Sequence, residues 1–300
     1  MKAFLKILTA IILGFIGVFI VSIVFLTPKS SNDAKQATSR SITVVFLGDS
    51  LTFGVGDTAG EHGYTGRVMK LLKKTYPQYK FSSYDFGKPG DRSDQILKRI
   101  NQSTKQQQLL KKADLIIMTV GGNDLRQELL KNVDTKSSTS LTNSVKKSST
   151  KYKTSLNNLL KGVANLRKSK SSLFIFGNYN PTFVNMASRT DINQDVKLYN
   201  AINEKLVKQQ SNGFYVSIFR QLTYGQYQTS EEISKLTAED LIANGKVGNK
   251  TQKSVLSGSI KIKNDYISQA DHFHPNNLGY DYMAKELFKA INNNNTWQKK

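Results

Sequence analysis

Cysteine is absent from the 300 residues. Disulfides, thiolate catalysis, thiolate metal sites and a lipid anchor on cysteine are therefore excluded. Histidine is scarce as well: only His62, His272 and His274 occur. Any imidazole chemistry must fall on one of these three. Acidic residues are few beside the basic ones (22 against 43), which leaves a formal charge of +21. Such an excess favours anionic neighbours, whether membrane surface, wall polymer or nucleic acid. The lysines are spread along the chain with no compact arginine-rich or aromatic-interleaved motif, so they read as a solvated surface and no nucleic-acid partner is expected. The apolar fraction is ordinary (38%), and the length suits one large α/β domain.

One long uncharged run does occur, Ile7–Leu26. As a helix it would span the roughly 30 Å hydrocarbon core of a bilayer. Lys2 and Lys6 precede it, as expected for an N-terminus left in the cytoplasm. No small-x-small cleavage site follows, so an uncleaved transmembrane anchor over 1–28 is favoured over a signal peptide. The rest would then lie outside the cytoplasm, or be secreted if the segment is removed. Residues 29–41 are small, polar and charged, and read as a flexible tether.

From Ile42 onward strand-like and helix-like segments alternate. Expected strands are Ile42–Leu47, Phe81–Phe86, Leu115–Val120, Leu173–Phe176 and Phe214–Ile218. Expected helices are Tyr64–Thr75, Asp94–Ile100, Tyr152–Arg167, Asp195–Gln209, Ser230–Ala243 and Asn277–Ile291. This order predicts one three-layer α/β/α domain over 42–300 with a mostly parallel sheet. Lys131–Thr150, rich in Ser, Thr and Lys, is expected to be a mobile surface insertion. Thr223–Ser268 is expected to be irregular around its one helix and to help shape a substrate groove.

Four short blocks carry the chemistry. Gly48-Asp49-Ser50-Leu51 ends the first strand on a glycine-bearing turn, which would expose the Ser50 hydroxyl at the sheet rim. It lacks the second glycine of a G-x-S-x-G elbow and the Gly-Lys-Ser/Thr of a phosphate loop. Gly90-Asp91-Arg92-Ser93 opens a helix, where a backbone N–H can face an anion. Gly121-Gly122-Asn123-Asp124 follows the third strand and offers an amide beside a flexible backbone. Asp271-His272-Phe273-His274-Pro275 holds two of the three histidines. A carboxylate three residues before an imidazole can reach back on a tight turn and fix its tautomer. A metal on Asp271, His272 and His274 is disfavoured, because no further histidine or cysteine cluster completes a site. His62 reads as a loop histidine. Singly, each block is equally an ordinary turn.

Together, in this order and at strand ends, the four blocks resemble the SGNH superfamily, also called the GDSL lipase/esterase family. The resemblance runs from about Ile42 to the C-terminal helix. It implies a flavodoxin-like fold and serine acyl-ester hydrolysis with no metal or other cofactor. It implies Ser50 as nucleophile, His274 as general base and acid, and Asp271 as orienter. It also implies an oxyanion hole from the Ser50 N–H, the Gly90 N–H and the Asn123 side chain, with Gly90 preferred over Gly87. Where the family commonly has asparagine before that glycine, Asp85 stands here. The substrate would be a small acyl ester, a lipid or an O-acylated wall glycan, with anionic membrane or wall polymer nearby. The alternative is a catalytically idle module that binds anionic lipid or wall polymer.

Overall fold

The computed structural model describes residues 40–132, 138–244 and 261–298. The expected anchor and the tether up to residue 39 lie outside them. Among the described residues no helix is long and apolar enough to cross a membrane.

Five strands form one parallel sheet in the order β2-β1-β3-β4-β5. They are β1 (Ser41–Gly48), β2 (Lys80–Gly87), β3 (Leu115–Met118), β4 (Ser172–Phe176) and β5 (Gly213–Val216). The helices are α1 (Ser50–Phe53), α2 (Gly63–Thr75), α3 (Ser93–Gln102), α4 (Thr104–Lys112), α5 (Gly122–Lys131), α6 (Ser138–Leu166), α7 (Thr190–Lys208), α8 (Phe219–Tyr224), α9 (Ser230–Asn244) and α10 (Asn277–Asn293).

The sheet is buried on both faces, which explains the nearly unbroken apolar runs in its central strands. Alternate residues feed two separate cores, as the period of a strand requires. Val44, Phe46, Ile117, Phe174 and Phe176 face a core completed by α2 and α10, through Tyr64, Leu72, Met283 and Leu287. Val45, Leu47, Ile116, Met118 and Ile175 face the other, completed by α3, α6 and α7, through Ile96, Leu156, Leu160 and Tyr199. At about 25 cal/mol per Å² of apolar surface, these two cores supply the main drive for folding.

Strand order reverses between β1 and β3: the chain steps from β1 to β2 on one side, then crosses to β3 on the other. Loops leaving these two strands diverge and open a crevice at their C-terminal ends, where ligands of such sheets gather.

Two expectations are corrected. Of the expected insertion Lys131–Thr150, the described residues are not irregular, and residues 133–137 lie outside the described residues. Lys131 closes α5, and Ser138–Thr150 is the first part of the 29-residue α6. Leu141, Val145, Tyr152 and Leu156 recur at helical spacing and are buried, and this stripe overrides the polar composition. The tether also ends sooner than expected, because Ser41 already pairs with Lys80 in the sheet.

Candidate active site

β1 ends on Gly48, where a side chain cannot fit. A Cβ there would stand 2.4 Å from the Thr119 hydroxyl and 2.6 Å from that of Thr52, and φ is +149°. This close approach lets Thr119 donate to the buried Asp49 carboxylate (2.7 Å). Asp49 caps α1 by accepting from the Leu51 N–H (3.0 Å). Burial raises the Asp49 pKa, and the bonds from Thr119 and Leu51 oppose that rise. Ser50 thus opens a helical turn on a rigid base.

The Ser50 Oγ lies 2.7 Å from His274 Nε2, and His274 Nδ1 lies 2.5 Å from Asp271 Oδ2. The second Asp271 oxygen accepts from the backbone N–H groups of Phe273 and His274, both at 3.0 Å. Partial burial works to raise the Asp271 pKa, but the His274 ring and these two amides outweigh it and hold the carboxyl far below its usual range. With Nδ1 donating to a carboxylate, the lone pair of Nε2 faces the serine. The Asp271–Pro275 turn is pinned from outside, since Tyr179 Oη donates to the Phe273 carbonyl (2.8 Å). Residues 224 apart in sequence therefore meet because β1 and the turn before α10 reach the same end of the sheet.

Ser50 and Asn123 both border the crevice, and Gly90 lies in the turn that Asn123 holds. The Ser50 amide belongs to the first turn of α1, whose N–H groups have no partner within the helix. Asn123, at the start of α5, donates one amide hydrogen to the Asp91 carbonyl (3.0 Å) and keeps a second free. That bond ties Asn123 to the Gly90-Asp91 turn. Gly90 has φ +86°, which glycine adopts without strain. The neighbouring Gly87 amide is already taken by Asp85 Oδ1 (2.8 Å). Asp85 thus fixes the turn by accepting from the backbone, a task its carboxylate performs without an asparagine amide.

Sequence reasoning missed the clamps that hold these turns together. Arg99 donates to Asp91 (2.5 Å), to the Phe86 carbonyl (2.9 Å) and to the Gly48 carbonyl (3.0 Å), so it grips the ends of β1 and β2. Asp124 accepts from both the N–H (3.0 Å) and the hydroxyl (2.7 Å) of Ser93, capping α3 from α5. Only the presence of Asp124 beside Asn123 hinted at this, because its partner is 31 residues away. His62 is exposed at the start of α2 and does not line the crevice. His272 has φ +59° and lines the crevice beside Phe273, with Nδ1 buried and unpartnered.

Ser50, Asn123, Asp271 and Phe273 border a pocket of about 1210 Å³ of atom-free space, part of it open to solvent. Residues of α5, the start of α6 and the start of α7 also line it.

A parallel 2-1-3-4-5 sheet with a serine, a histidine and a carboxylate in line at its switch point is an SGNH-type hydrolase fold. Residues 46–282 match the GDSL-like Lipase/Acylhydrolase family, and the chain belongs to that family. It is by class a carboxylic ester hydrolase. Among curated relatives it is 28% identical to the uncharacterized protein YpmR of Bacillus subtilis over 269 residues, 88% of each chain. It is also 39% identical to the spore germination lipase LipC of Bacillus licheniformis, over 28% of this chain and 38% of that one. Among solved structures, the lipase Lip_vut3 from a goat rumen metagenome shares the fold at TM-score 0.58 and 20% identity, covering 83% of this chain and 97% of that one. A point mutant of Axe2, an acetyl-xylooligosaccharide esterase of Geobacillus, does so at TM-score 0.52 and 16% identity, covering 83% and 94%.

Proposed function

We propose that the chain is an extracytoplasmic serine ester hydrolase in which Ser50 attacks the acyl carbonyl, His274 moves the proton and Asp271 orients the imidazole. The carrying observation is the continuous hydrogen-bonded chain from Ser50 Oγ through both ring nitrogens of His274 to Asp271. His274 Nε2 takes the hydroxyl proton as Oγ bonds to the carbonyl carbon. Negative charge then develops on the carbonyl oxygen, facing the N–H groups of Ser50 and Gly90 and the free amide hydrogen of Asn123. Asp271, held ionised by its three hydrogen bonds, stabilises the imidazolium. The imidazolium then protonates the departing alcohol. Water, deprotonated by the same nitrogen, cleaves the acyl-serine and returns the proton to Oγ. The location outside the cytoplasm rests on the apolar Ile7–Leu26 run behind Lys2 and Lys6.

The test is turnover of p-nitrophenyl butyrate by the full chain and by Ser50→Ala. The substitution is expected to lower kcat by about 10³-fold or more with folding intact, since the step through Oγ is lost. A fluorophosphonate probe is expected to label the wild type and not the variant. Equal turnover by both proteins would overturn the assignment, and absence of turnover with intact polymer binding would favour an idle binding module.

A further inference from the structure

Charge is not spread evenly over the domain. In a parallel sheet flanked by helices, the strands all begin, and the helices that feed them end, at one end of the domain. That base lies opposite the crevice. Lys73 and Lys74 close α2, Lys111 and Lys112 close α4, and Lys205 lies in the last turn of α7. Lys80 opens β2, and Lys168 and Lys170 lie just before β4. All of them are exposed. The segments that lead into β2, β3, β4 and β5 (73–80, 111–114, 167–171 and 204–212) hold only two carboxylates, Asp114 and Glu204. Lys168 takes the first (3.1 Å) and Lys208 the second (2.5 Å). The other lysines of these segments form no ion pair among the described residues. At the crevice end the signs are mixed, with Asp49, Asp91, Asp124 and Asp271 beside Lys88 and Arg126. The helix dipole favours lysine in a last turn, which accounts for the lysines of α2, α4 and α7. It gives no reason for Lys80, Lys168 and Lys170, which lie outside helices, or for the scarcity of acid around them. Like charges gathered on one face repel each other, and a face kept basic despite that repulsion fits an anionic surface. The chain also enters the domain at this end, where Ser41 pairs with Lys80. Residues 27–40 separate it from the apolar run Ile7–Leu26, and fourteen residues span at most about 50 Å. So short a covalent reach favours a bilayer over a free polymer as the anion.

We propose that the lysine-bearing base of the domain docks on a bilayer leaflet rich in anionic headgroups, which puts the Ser50 crevice at the end of the sheet away from that bilayer. The docking rests on Ile7–Leu26 being the membrane segment and is independent of the hydrolase reading. Each lysine brought to such a surface strengthens association by about fivefold. β1 runs eight residues from Ser41 to Gly48, about 25 Å, so Ser50 stands roughly one strand length above the headgroups. An ester still embedded in that bilayer does not reach it, and substrate arrives from the far side.

The test places a fluorophore at either end of the domain. The chain has no cysteine of its own, so Ser169→Cys at the base and Ala59→Cys at the crevice end each give a single labelling site, both exposed. The labelled full chain is reconstituted in vesicles that carry a lipid with a nitroxide headgroup, which quenches a nearby fluorophore. Vesicles of neutral phosphatidylcholine are compared with vesicles containing about 30 mol% phosphatidylglycerol. Quenching at position 169 is expected to be about threefold greater on the anionic vesicles and to fall to the neutral level in raised salt. The label at position 59 is expected to be quenched little on either. Lys111→Glu, Lys112→Glu and Lys170→Glu together are expected to abolish the difference, with far-UV circular dichroism unchanged. Equal quenching at position 169 on the two lipids, or quenching as strong at position 59, would overturn the docking. Equal quenching together with capture of polyphosphate by the same face would assign it to a free polyanion instead. Flotation with the vesicles tests the membrane segment separately. A chain that floats with both lipids yet shows no lipid-dependent quenching loses the docking alone, and a chain that floats with neither loses both.

Discussion

Asn123 has two amide hydrogens, and the Asp91 carbonyl holds one of them. That bond fixes the direction of the other, so in the proposed mechanism the donor to the developing oxyanion would need no reorganisation. Asn123→Ala is therefore expected to lower kcat by about 10²–10³-fold, with a much smaller change in KM. Far-UV circular dichroism is expected to be unchanged, since Asn123 is only half-buried at the start of its helix. Full kcat in this variant would remove Asn123 from the oxyanion site. Gly48 contrasts with it, because its task is steric. A methyl group there would collide with the hydroxyls of Thr119 and Thr52. Gly48→Ala is expected to destabilise the fold by about 1–3 kcal/mol, read as a lower denaturation midpoint. Serine, asparagine, aspartate and histidine were legible as candidate site residues because their chemistry is written in their side chains. The need for glycine at 48 was visible only as a turn. Its cause is a pair of threonines, one of them far downstream, just past the end of β3.

Elements bring these residues into register, and here the sequence is less informative. β1, β3 and β4 were readable as apolar runs because both faces of the sheet are covered. α6 was half hidden: its first turns carry so much Ser, Thr and Lys that composition pointed to a loop, while the stripe through Leu141 and Val145 pointed to a helix. Burial decided in favour of the stripe. The contacts between elements were not readable at all, because the Asp124–Ser93 cap and the Arg99 clamp join separate turns by geometry alone. The cap supports a prediction. Ser93 is fully buried, and Asp124 satisfies both its N–H and its hydroxyl. Asp124→Ala leaves both without a carboxylate partner and is expected to cost about 1–2 kcal/mol in urea unfolding. It also frees the Gly90 turn to drift from Asn123, so kcat is expected to fall although Asp124 does not line the pocket. Asp124→Asn keeps an acceptor for one of the two Ser93 donors and is expected to recover part of both losses. Unaltered stability in Asp124→Ala would show that α3 needs no cap from α5.

At the scale of the whole molecule, buried carboxyl groups set how stability responds to pH, and they act in opposite directions. Asp195, on α7, has a buried carboxyl with one oxygen lacking a hydrogen-bond partner. Burial, helped by the charge of Asp191, pushes its pKa up to about 7, against the pull of Arg189 and Lys146. Between its ordinary value near 4 and about 7, the folded chain holds a proton that the unfolded chain has released. Stability from this group therefore falls as pH rises through that window. Asp57 is the reverse case. Burial works to raise its pKa, but the Arg67 guanidinium and the Gly63 N–H outweigh it and lower the value to about 2. Its contribution is complete above about pH 4 and is lost as pH falls through 2. The high positive charge adds a repulsion of its own at low pH, so the wild-type curve alone mixes several effects. The difference between wild type and Asp195→Asn isolates one of them. The variant is expected to be more stable than wild type at pH 8, by on the order of 1–3 kcal/mol, because it has no charge to bury there. That gap is expected to close as pH falls to 4, where the folded wild-type carboxyl is protonated, and the loss below pH 4 is expected to be the same in both proteins. Trp297, the only tryptophan, is buried against Tyr76 and Tyr79 and reports the urea transition by fluorescence. A gap that is constant from pH 4 to 8 would mean that Asp195 does not change its protonation on unfolding.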